Sequence, residues 1–153
     1  MTTSTEHDIK VLNSLIETTI DSAEGYGEAA KDAENTRYSA QFQSRAAERR
    51  QVTQTLQQQV RSLGGTPEDD GTVLAKAHRM FVELRAKMSS KDDTAIVDEV
   101  ERGEDHIKAK YEDAMKDQDL SAGTRTLIGQ AYASVKAGHD QMRDLKHALH
   151  VTN

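Results

Sequence analysis

Apolar residues recur every three or four positions along most of the chain. Leu12, Ile16, Thr19, Ala23, Tyr26 and Ala30 fall on one side of a helix that turns ~100° per residue. Ser4 or Thr5 in "STEHD" can cap its start, and Asn35 marks a break. A second stripe carries Phe42, Ala46, Val52, Leu56, Val60 and Leu63, which predicts a helix over 36–63. "GGTPEDDG" at 64–71 stops it, because glycine suits a helix end and proline cannot continue one.

Three more segments follow. Leu74, His78, Phe81, Leu84 and Met88 share a face and predict a shorter helix over 72–88. Val97, Val100, Ile107, Tyr111 and Met115 predict a helix over 93–115. Leu127, Ala131, Val135, Met142, Leu145 and Leu149 predict a last helix over 121–149, with "HVTN" frayed beyond it. Short turns make hairpins of the first two and last two segments. The connection at 64–92 is as long as a bundle helix, so it can run back along the molecule. The second and fourth segments then lie parallel, which gives an up-down four-helix bundle with one long crossover carrying an extra short helix. The expectation is one all-α domain over 1–153.

Some polar residues fall on these inward faces. Arg49 is seven residues from both Phe42 and Leu56, so it sits at the centre of its stripe. Glu104 lies among Val97, Val100, Ile107 and Tyr111. Glu101 and His139 fall at stripe edges, His106 points away, and Glu17 and Glu24 lie off the face. If the crossover arrangement holds, Arg49 and Glu104 are about level, each some dozen residues from its helix start at ~1.5 Å per residue. Reflection through the hairpins brings Glu24 and His139 to similar height. Gly103 offers room for close helix approach at Glu104.

Composition narrows the function. The chain is 30% charged with a net charge of −6 and scattered basic residues, which argues against a nucleic-acid partner. It has no cysteine, so disulfides, thiolate metal sites and cysteine nucleophiles are excluded. No apolar run approaches the ~20 residues of a membrane span, and the polar start "MTTSTEHDIK" is unlike a secretory signal. The expectation is a cytoplasmic protein off the membrane. "SLGGTP" lacks the lysine and hydroxyl residue of a phosphate loop. Met80, Met88, Met115 and Met142 suit core filling better than a soft-metal track.

"LNSLIETTIDSAEGYGEAA", "LGGTPEDDG" and "VERGED" with "KAGHDQMRDL" resemble an uncharacterised bacterial family of ferritin-like four-helix-bundle proteins, over the whole chain. The resemblance implies the fold and no settled activity. Ferritin-like di-metal sites take a glutamate from each of two helices and Glu-x-x-His from each of the other two. Here Glu48 is followed three residues on by Gln51 instead of His, Lys136 instead of Glu stands three residues before His139, and Glu101-x-x-Glu104 replaces the His partner by a carboxylate.

Two functions from different classes remain. The first is a soluble, non-catalytic bundle protein, stress-associated, acting through a homo-oligomer or a protein partner and needing no cofactor. Arg49, Glu104, Glu101 and His139 then form a buried polar network where relatives hold metal. The alternative is a di-iron or di-manganese oxidoreductase with Glu101, Glu104, His139, Glu24 and Glu48 as ligands. An anion held beside Arg49 is a third option.

Overall fold

The computed structural model describes residues 3–70 and 93–152, with side chains over 4–70 and 93–150. The short crossover helix expected over 72–88, with His78, Phe81 and Met88, lies outside the described residues. Four helices make up the described residues: α1 Thr3–Asp32, α2 Thr36–Ser62, α3 Asp93–Met115 and α4 Ala122–Thr152. No helix among them is long and apolar enough to cross a membrane.

Local chemistry sets the helix ends. Asn35 is extended (φ −74°, ψ 117°) and its side chain accepts the Arg37 backbone N–H at 2.9 Å, an N-cap. The far end of α2 is a Schellman turn. Gly64 takes φ 86°, its N–H reaches Arg61 O at 3.0 Å, and Gly65 N–H reaches Val60 O at 2.9 Å. Gly65 serves a second purpose: a Cβ there would sit only 2.8 Å from the Ile9 side chain on α1.

Hydrogen bonds between helix ends fix the topology. Both carboxylate oxygens of Asp93, at the start of α3, accept backbone N–H groups of Glu34 and Asn35 at 2.9 Å. The starts of α2 and α3 therefore share one end of the bundle. At the opposite end, Asp8 on α1 accepts the Ser121 N–H at 3.0 Å and the hydroxyls of Ser121 and Thr124. The starts of α1 and α4 meet there, and His7 lies 2.7 Å from Asp117 just past the end of α3. So α2 and α3 run parallel, as the long-crossover arrangement expects. The helices form a square in which α1 packs on α2 and α3, and α4 packs on α2 and α3. Arg49 on α2 and Glu104 on α3 thus project from diagonal corners.

The interior is two apolar clusters stacked along the axis. Leu12, Ile16, Leu56, Val60, Ile107, Tyr111 and Ile128 anchor one. Tyr26, Phe42, Ala46, Ile96, Val97 and Met142 anchor the other. Burying such side chains is worth about 1.5–3 kcal/mol each for the large ones, and with few aromatics the bundle relies on many aliphatic contacts.

Three expectations change. Met115 closes α3 at 37% exposure instead of facing inward, because Ala114 carries the stripe there. Leu127 is only half buried, and the inward row of α4 is Thr124, Ile128, Ala131, Val135, Gly138 and Met142, alternating steps of four and three. The last helix also continues past Leu149 to Thr152.

Candidate functional site

Arg49 is fully buried, since its stripe faces the bundle axis with Phe42 and Leu56 one heptad away on either side. Its Nη1 and Nη2 each donate to one oxygen of Glu104 at 2.7 Å, a two-pronged ion pair between diagonal helices. Glu104 is 1% exposed. Nη1 also donates to Ser22 Oγ on α1 at 2.7 Å, and Nη2 makes a longer contact of 3.4 Å to Val135 O on α4. The guanidinium carbon lies 5.5 Å from the centre of the Tyr26 ring, within cation–π range. All four helices therefore touch one cation.

The electrostatics follow from this arrangement. Burial alone would lower the pKa of Arg49, but the hydrogen bonds and charge of Glu104 more than reverse that, and the net shift is upward. Burial first, then the nearby Glu104 charge, raises the Tyr26 phenol well above its ordinary value, so it stays protonated. Two polar atoms here have no hydrogen-bond partner, the Arg49 Nε–H and the Tyr26 hydroxyl. Below them, Tyr111 and Thr19 share a buried hydroxyl–hydroxyl bond of 2.7 Å.

Sequence reasoning passed over Gly138, which shapes the pair from α4. A Cβ at this buried position would collide with Arg49 Nη2 and stand 3.0 Å from Glu104 Oε2. Gly103, expected to permit close approach, faces open space instead, because it lies on the outer side of α3. A signal for Gly138 existed. Glycine inside a helix costs about 1 kcal/mol relative to alanine, so one falling on the inward row invites a packing reason.

The other sequence-selected residues go elsewhere. Glu101 meets Lys146 of α4 at 3.3 Å. His139 is turned outward to Asp105 at 2.7 Å and Asp140 at 3.3 Å, so neither it nor Glu101 hydrogen-bonds the guanidinium. Glu48 pairs with Arg45 at 2.8 Å, and Glu24 is exposed. His106 and His147 are exposed, while His150 reaches Asp98 on α3 at 2.8 Å.

A di-metal centre does not fit these residues. Glu104, the one buried carboxylate of the ligand set Glu24, Glu48, Glu101, Glu104 and His139, has both oxygens taken by a guanidinium. A dication there would face a buried positive charge at hydrogen-bond distance from its own ligand. Among the described residues, three metal-type ligand atoms come within 4.8 Å of one another in two other places, His7–Asp117–Asp119 and Glu101–Asp105–His139.

Comparisons with known proteins agree with this fold. Residues 7–117 match the family model described as "Domain of unknown function (DUF2383)". No curated protein matches the chain. Among solved structures, the chain is similar to the bacterioferritin-related protein from Bacteroides fragilis, described as a dodecameric thioferritin. The TM-score is 0.77 at 16% identity, over 97% of this chain and 89% of that one. That likeness makes the architecture a ferritin-like four-helix bundle and carries no more than the fold.

Proposed function

The chain belongs to the DUF2383 family, and from that starting point we propose that it is a non-catalytic ferritin-like bundle that works by assembling with copies of itself. One observation carries this reading: the two-pronged Arg49–Glu104 pair occupies the middle of the bundle, between its two apolar clusters. A guanidinium supplies a fixed positive charge with no redox chemistry and no open coordination position. The interior is thereby committed to holding four helices together, which leaves the outer faces to do the work. Assembly is the use of such faces suggested by the similar Bacteroides fragilis protein, described as dodecameric.

Two measurements on the untagged full chain, purified without chelator, test this. Sedimentation velocity should give a species larger than the 17.0 kDa chain. Elemental analysis should find no iron or manganese that depends on Glu104. Two equivalents of either metal per chain, lost in Glu104→Gln but kept in Asp105→Asn, would replace this reading with a di-metal oxidoreductase.

A further inference from the structure

Charge is spread unevenly over the outer faces. α2 carries five arginines and a single acid, Glu48, in a chain of net charge −6. Arg45 takes Glu48 and Arg49 takes Glu104, so Arg50, exposed on the outer side of α2, has no acidic partner among the described residues. Its exposed neighbours Ala47, Gln51, Gln54 and Gln58 are uncharged. Two copies of an acidic chain repel least where they meet on such a face.

The opposite charge stands on the same edge of the helix. Glu68, Asp69 and Asp70 follow one another, all exposed, and none pairs with a cation among the described residues. Their charge is felt nearby: burial first, then Glu68, then Asp21 raises the pKa of Glu17 on α1. Hydrogen bonds fix the height of the run. Glu68 N–H donates to Asn13 Oδ1 of α1 at 2.9 Å, and Glu68 O accepts from Gln57 Nε2 of α2 at 2.8 Å. Gln57 is seven residues beyond Arg50, so the two lie on one edge of α2, ~10 Å apart along its axis.

We propose that this edge binds a second copy of the chain: α2 packs antiparallel on α2 of the other copy, about a twofold axis beside Gln54, and the run Glu68, Asp69 and Asp70 of each copy meets Arg50 of the other. The proposal rests on the self-assembly proposed above and names its surface. A twofold axis at right angles to α2 keeps each edge facing its like and exchanges heights about its own level. The level midway between Arg50 and Gln57 is that of Gln54, so an axis there sets each arginine opposite the other copy's carboxylates. The contact is self-complementary, and one attraction is made twice. Gln54 meets its own equivalent at the axis, where two primary amides can exchange two hydrogen bonds. An axis parallel to α2 would keep the heights and put the two charged edges on opposite sides, leaving the contact unmade.

Sedimentation velocity of the untagged full chain tests the surface. Wild type should form dimers or larger species, and high salt should weaken them because exposed ion pairs are screened. Arg50→Glu should weaken self-association at least tenfold, and so should Asp69→Arg with Asp70→Arg. All three changes in one chain swap the charges across the axis and should restore it, with circular dichroism showing each variant folded. The chain has no cysteine, so Gln54→Cys should give a disulfide-linked dimer on mild oxidation with diamide, while Thr126→Cys, exposed on α4, should not. An assembled wild type whose size none of the charge changes alters would overturn this inference and leave the assembly reading standing. A wild type that sediments as the 17.0 kDa monomer even at low salt would remove both. If that monomer were held on heparin through Arg50, the edge would belong to a foreign polyanion instead.

Discussion

Replacing Arg49 by methionine keeps most of the side chain's length and removes its charge, which isolates the ion pair from the packing around it. In the variant Glu104 remains 1% exposed, having lost both 2.7 Å hydrogen bonds and its counter-ion. Ser22 loses its 2.7 Å donor but is half exposed, so water can replace it. The loss is therefore dominated by a stranded carboxylate, which costs about 3–5 kcal/mol. For a chain of this size, that lowers Tm by roughly 6–20 °C. Glu104→Leu strands the guanidinium instead and should cost a similar amount. The double variant Arg49→Met with Glu104→Leu strands nothing and should recover most of the loss, because a well-packed apolar replacement of a buried pair is often neutral or better. Urea denaturation followed by circular dichroism would give all four corners of the cycle, with a coupling free energy of at least ~2 kcal/mol expected between the sites. Single variants within ~0.5 kcal/mol of wild type, or a double variant that loses the sum of the two, would refute the reasoning.

Glycine substitutions at two helical positions should move stability in opposite directions. Gly103→Ala meets open space and should stabilise by up to ~1 kcal/mol, while Gly138→Ala drives a methyl into Arg49 and Glu104 and should cost about 1–3 kcal/mol despite its better helix propensity, both read by urea denaturation. Asp8 carries an acid-sensitive contribution. Burial raises its pKa, but the Ser121 and Thr124 hydrogen bonds outweigh that and hold it below the ordinary value. The stability it adds is full above about pH 4 and is lost as pH falls through the lowered folded value, so Asp8→Asn should flatten the acid limb of a Tm-against-pH profile. Tyr111 acts at the alkaline end, where burial, only partly offset by the Thr19 bond, pushes its pKa up to about 12. The unfolded phenol ionises near pH 10 while the folded one keeps its proton, so stability should fall between those values. Tyr111→Phe should remove that share of the fall and cost about 1 kcal/mol at neutral pH.

Helices and their order are legible in this sequence because one periodicity governs each long segment, and because "GGTPEDDG" is an unambiguous stop. The level of Arg49 against Glu104 is legible as well, since both fall on apolar stripes and the rise per residue turns sequence position into height. Gly138 is harder. A glycine adds nothing to an apolar count, so the row on α4 is drawn through Leu127 instead of Ile128, and the one inward glycine drops out. Asp105 is harder still, because it belongs to no stripe and faces solvent. Its meeting with His139 depends on how far apart α3 and α4 pack, which no single-helix periodicity records. Asp8 and Asp93 share that difficulty: each serves backbone or hydroxyl donors more than fifty residues away.

A row of leucines and valines is a poor ruler. Slide one greasy helix along another by a turn, about 5.4 Å, and it meets more of the same. The Arg49–Glu104 contact is a tick mark on that ruler, because any such slip of α2 against α3 would pull the oil-locked charges apart and face each with hydrocarbon. These helices lie on a diagonal and are joined by a long stretch of chain, so neither a tight loop nor side-by-side packing could hold them level. An ion pair spanning the centre does so, and it makes every mis-set version of the bundle less stable than the one alignment that lets the charges touch.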